Sequence, residues 1–131
     1  MNHLANGTFV VKLLPMAVEG QHEGTKLGRM SIDKQIIGDL VASTRGQMLS
    51  AMAEVKGSAG YVAIEYVEGS LHGRKGSFVL QHAGTMNRGA PSLSVTVVPD
   101  SGTGELAGLA GDFKIVVAEG KHSYEFSYTL P

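Results

Sequence analysis

Apolar and polar residues alternate with period two along most of the chain. The last stretch shows it most plainly, with Tyr124, Phe126, Tyr128 and Leu130 on one side and Ser123, Glu125, Ser127 and Thr129 on the other. A strand that covers a core with one face reads this way. The same alternation, read between turn signals, predicts eight strands, over 7–14, 26–37, 40–54, 61–71, 74–84, 92–99, 112–118 and 122–130. Short glycine-containing turns join them and no convincing helix separates them. This predicts an all-β fold, an antiparallel barrel or a sandwich, and closure into a barrel would remove exposed sheet edges. One segment also fits a helix: Met48, Leu49, Met52 and Val55 fall at helical spacing behind Ser43, a residue suited to capping. Gly46 and the surrounding β pattern favour a strand over 43–55.

Residues 61–84 read as one long hairpin. His72-Gly73 is a dipeptide suited to a two-residue turn, with glycine supplying the positive φ. If Leu71 pairs with Arg74, then Tyr61, Ala63, Glu65 and Val67 share a face with Phe78, Leu80, His82 and Gly84, while Val62, Ile64, Tyr66, Val79 and Ala83 take the other. Both faces are largely apolar, so the outside of this sheet is expected to be partly covered too. Glu65 and His82 become diagonal neighbours, about 5–7 Å apart at Cβ. Pointing outward, the commoner placement for such a pair, they form a solvated contact of a few tenths of a kcal/mol. Pointing inward, they share an apolar environment where both pKa values shift and acid–base work becomes available. Tyr61 and Arg74 stand at the two ends of the same face. Arg45, on a strand whose inward face is open at this point, is a candidate for holding an anionic ligand group.

The segment SGTGELAG over 101–108 has glycines after a strand, yet its third glycine comes one residue too late for a dinucleotide loop and no Lys-Ser or Lys-Thr follows. It reads as a structural turn with one short helical turn over 105–109. With 131 residues, one domain over 1–131 is expected. The net charge of −1 and the scattered basic residues remove the electrostatic case for nucleic acid. No cysteine is present, which excludes disulfides, thiolate metal sites and a thiol nucleophile. Of the five histidines, His3 is near the terminus, His22 and His72 are expected in turns, and His82 and His122 at strand positions, without H-x-H or HExxH spacing. No metal and no cofactor are therefore expected. No run approaches the roughly 20 apolar residues that cross a bilayer, so no membrane partner and a cytoplasmic location are expected.

The stretches GDLVASTRGQML (38–49), SAGYVAIE (58–65), GSFVLQHAG (76–84), VVPDSGTGELAGLAG (97–111) and HSYEFSYTL (122–130) resemble the bacterial family of domains of unknown function DUF3224 over nearly the whole chain. GSFVLQH followed by SGTGELAGLAG is the specific part. That family resembles the allene oxide cyclase and dirigent proteins, which implies an eight-stranded antiparallel β-barrel with an internal cavity, assembled as a homo-oligomer, dimer or trimer. No catalytic residue of those relatives maps onto this sequence. The expected function is binding of a small, mostly apolar molecule inside the barrel, with Tyr61, Glu65 and His82 as polar anchors and Phe78 and Leu80 as lining. Two alternatives stand beside it: a cyclase or isomerase that moves a proton through Glu65 or His82, and a filled barrel acting as a structural or interaction module.

Overall fold

The computed structural model describes residues 2–18, 20 and 24–131. His22, expected in a turn, lies outside the described residues. Eight strands follow in order: β1 (His3–Pro15), β2 (Thr25–Gly38), β3 (Leu40–Ala53), β4 (Ala59–Leu71), β5 (Arg74–Asn87), β6 (Ala90–Val97), β7 (Ala110–Ala118) and β8 (Lys121–Thr129). Each pairs antiparallel with its neighbours in sequence, and β8 pairs with β1 to close a barrel. Every expected strand is present, most of them longer than the alternation alone implied. The helical reading of 43–55 is excluded, because β3 pairs with β2 on one side and β4 on the other, which satisfies its backbone donors and acceptors twice over.

The β4–β5 hairpin has the expected register, from Leu71↔Arg74 to Tyr61↔Gly84. Its turn residues His72 and Gly73 have φ of 48° and 81°, the two positive values that let a two-residue turn match the twist of its strands. Below it, His72 Nδ1 bonds the Tyr128 hydroxyl and its Nε2 stands 3.6 Å from Asp39, tying this turn to the β2–β3 turn.

The two ends of the barrel differ. At the end where β4 runs into β5, the lumen is filled by Leu40, Leu71, Phe78, Tyr124 and Phe126, with Phe113 stacked on Tyr124 at 5.0 Å. The β6–β7 connection crosses this end through a 3-10 turn, Gly104–Leu106, which drives Leu106 and Leu109 into the core. The expected short helical turn is thus present, one residue earlier, and serves as a plug.

At the opposite end the inward-facing side chains stay in water. Leu13, Met52 and Val117 lie on the lumen side of their strands yet are 44 %, 61 % and 62 % exposed. β6 and β7 register at one pair only, Thr96↔Asp112, and from there toward this open end residues 90–94 of β6 are all exposed. The result is a bowl, filled below and open above.

Candidate functional site

Alternation on four neighbouring strands sends one polar group each into the barrel's middle. Ile32, Lys34 and Ile36 share the inner face of β2; Ala42 and Thr44 that of β3; Ala63, Glu65 and Val67 that of β4; Leu80 and His82 that of β5. The ladders then bring them together, since Lys34 is opposite Thr44 and Glu65 opposite Leu80.

Glu65 is 0 % and His82 4 % exposed. The solvated, outward placement of this pair is therefore corrected: the face points inward, because its other members, Ala63, Val67 and Leu80, belong to the core. Glu65 Oε1 accepts from Lys34 Nζ at 3.0 Å and from His82 Nε2 at 2.8 Å, while Oε2 accepts the Thr44 hydroxyl at 2.6 Å. Burial alone would raise the Glu65 pKa. The His82 hydrogen bond, the Lys34 charge and the Thr44 hydroxyl outweigh it and bring the group from 4.5 down to about 2. Lys34 Nζ also lies 4.8 Å from the centre of the Phe9 ring, an aromatic face that helps accommodate a buried ammonium.

The chain of groups continues toward the bowl. Tyr61, half-buried, holds its hydroxyl 3.4 Å from His82 Nδ1. Across the ladder, a Cβ on Gly84 would come within 2.5 Å of the Tyr61 ring, so the absence of a side chain there gives the ring its place. Desolvation, and then the charge of Glu65, raise the Tyr61 pKa and keep the hydroxyl protonated. The order from core to bowl is Lys34, Glu65, His82, Tyr61. Leu93 shares the ladder row of Tyr61 and Gly84, Met30 and Met48 share that of Ala63 and His82, and beyond Tyr61 toward the open end Met52 and Met86 share theirs with Ala59 and Lys26.

Three expected site residues fall elsewhere. Phe78 and Leu80 face inward but are fully buried core, Phe78 stacking on Phe126 at 5.8 Å, so they line no open space. Arg45 faces outward, with its side chain exposed and its Nε 4.0 Å from Asp33. Its parity with Gln47 and Leu49, opposite to that of the buried Thr44, decides this. Arg74, at the far end of the hairpin, is exposed as well.

Lys34 and Thr44 were missed. The signal for Lys34 was a lysine between Ile32 and Ile36 on an otherwise apolar parity, and reading it required the β2–β3–β4 registers together. Among the described residues, no group of three or more His, Asp or Glu side chains is placed to hold a metal ion, and no helix is long and apolar enough to cross a membrane.

A closed eight-stranded antiparallel barrel with a buried lysine–carboxylate–imidazole chain under an open apolar bowl is the class that these observations define. The chain belongs to the DUF3224 family of proteins of unknown function, whose model matches residues 5–128. The crystal structure of a DUF3224 protein of unknown function from Shewanella oneidensis MR-1, at 1.84 Å resolution, is similar at 51% identity, with a TM-score of 0.96 and coverage of 100% of this chain and 98% of that one. No curated protein matches the sequence.

Proposed function

We propose that the protein binds a small, mostly apolar molecule in the open bowl of its barrel, with Tyr61 and His82 as the polar contacts at the bowl's floor. One observation carries the reading: lumen-facing apolar side chains stay exposed at one end only, directly above a polar chain that ends in Tyr61. Leaving such side chains in water is unfavourable by about 25 cal/mol per Å² of apolar surface, and a ligand would remove it. Methionines on the wall suit an adaptable apolar contact. A kinship with allene oxide cyclase and dirigent barrels and a cytoplasmic setting belong to the same proposal.

A native mass spectrum of protein purified without detergent, then mixed with excess N-phenyl-1-naphthylamine, tests the proposal. A stoichiometric extra mass lost on denaturation, from cargo or from the probe, is expected. A protein that carries neither would overturn it.

The alignment of Tyr61, His82 and Glu65 favours a second reading, in which His82 moves a proton on the bound molecule. Glu65, with both oxygens engaged, then acts by positioning the imidazole. A third concerns assembly. The outer face of β3 and β4 exposes Leu49, Val62, Ile64 and Tyr66, which supports a dimer or trimer formed face to face, since a closed barrel offers no free edge. Light scattering should then give a smaller species for Ile64→Lys, and an unchanged mass would oppose this assembly.

A further inference from the structure

The direction of the hydrogen bonds beneath the bowl narrows the class of ligand, an inference that rests on the binding reading above. Glu65 is ionised and can only accept, so the Nε2 that faces it at 2.8 Å carries the imidazole proton. Lys34 already balances the carboxylate charge, and a second buried cation would stand without a counter-charge. With its proton on Nε2, the imidazole presents Nδ1 as a bare acceptor. Among the described residues its hydrogen-bond partner is the Tyr61 hydroxyl at 3.4 Å, a loose contact against the usual reach of an O–H donor of about 2.5–3.0 Å. The polar chain thus ends, toward the bowl, in an under-served acceptor next to a rotatable hydroxyl.

We propose that the bowl selects small apolar alcohols and phenols over matched ethers, ketones and carboxylates, because a hydroxyl alone can donate to His82 Nδ1 while accepting from Tyr61. An ether or ketone can take the Tyr61 proton, but doing so leaves Nδ1 without a donor in a buried place, which is costly. A carboxylate does the same and must also shed the water around its charge to enter. Glu65 itself touches no ligand; it fixes which imidazole nitrogen is bare and so acts as a positioning residue.

Calorimetric titration with 2-naphthol, 2-methoxynaphthalene, 2-acetylnaphthalene and 2-naphthoate separates the outcomes. The naphthol is expected to bind roughly tenfold or more tighter than each of the others, the ratio that one lost donor implies. Equal affinities, or a preference for the ketone or carboxylate, would overturn the selectivity and leave the binding reading standing. Failure of all four to bind would overturn both. A long-range proton–nitrogen NMR spectrum tests the cause without any substitution. His82 should carry its proton on Nε2, and its Nδ1 resonance should move with 2-naphthol but not with 2-methoxynaphthalene. A proton found on Nδ1 of the free protein would overturn the inference.

Discussion

At the scale of single residues, the arrangement turns on how a carboxylate survives without water. Glu65 keeps its charge because both oxygens are engaged by Lys34, His82 and Thr44. Those partners depend on it in return. Glu65→Gln leaves the Lys34 ammonium buried without its counter-charge and is expected to destabilise the protein by about 3–5 kcal/mol in urea unfolding. The double variant Lys34→Met/Glu65→Gln removes the charge from both partners and keeps an acceptor for His82, so it should regain much of that loss. A double variant no more stable than the single one would contradict this pairing. The same carboxylate sets an acid limit. Its pKa is lower in the folded protein, so its stabilisation is present above the ordinary value of 4.5 and is lost as pH falls from there through about 2. The loss is on the order of 3 kcal/mol, and the double variant should lack that part of the acid limb when unfolding free energy is measured against pH.

At the scale of elements, the β6–β7 connection is the piece that makes one end of the barrel a floor. Leu106 is fully buried, and Leu106→Ala is expected to cost about 2–5 kcal/mol by opening a cavity there. Gly76, at the start of β5, lies so close to this connection that a Cβ would stand 2.1 Å from the Thr103 carbonyl oxygen. Gly76→Ala should therefore lower the melting temperature and loosen the floor, visible as faster amide exchange at Thr103 and Leu106, while the same change at Gly60, where a Cβ would meet its nearest atoms at 3.7 and 3.9 Å, should not. Strands and the hairpin register were legible in the sequence, because period two and an X-Gly turn are local signals. Residues 43–55 had two local readings, and only the ladders on both sides of β3 decide between them. Direction along the barrel was not legible. Which inward positions are core, as Phe78 and Leu80 are, and which line a bowl, as Met48 and Leu93 do, depends on where a distant loop places its plug. For the same reason Lys34 and Thr44 emerge only when three registers are combined, and Arg45 is seen to face outward only once Thr44 is seen to face in.

At the scale of the whole molecule, the barrel divides into a packed half, which supplies stability, and an open half, which exposes apolar surface that stability alone does not require. Four of the chain's six methionines, Met30, Met48, Met52 and Met86, lie on lumen-facing positions of that open half. They serve as built-in reporters for the central claim. Carbon-13-labelled methionine methyl spectra, recorded as N-phenyl-1-naphthylamine is added, read the bowl directly. Saturable shifts of these four methyls at a common midpoint are predicted. If the four stay fixed while the probe saturates the protein elsewhere, or if no saturable shift occurs at all, the bowl is not a binding site.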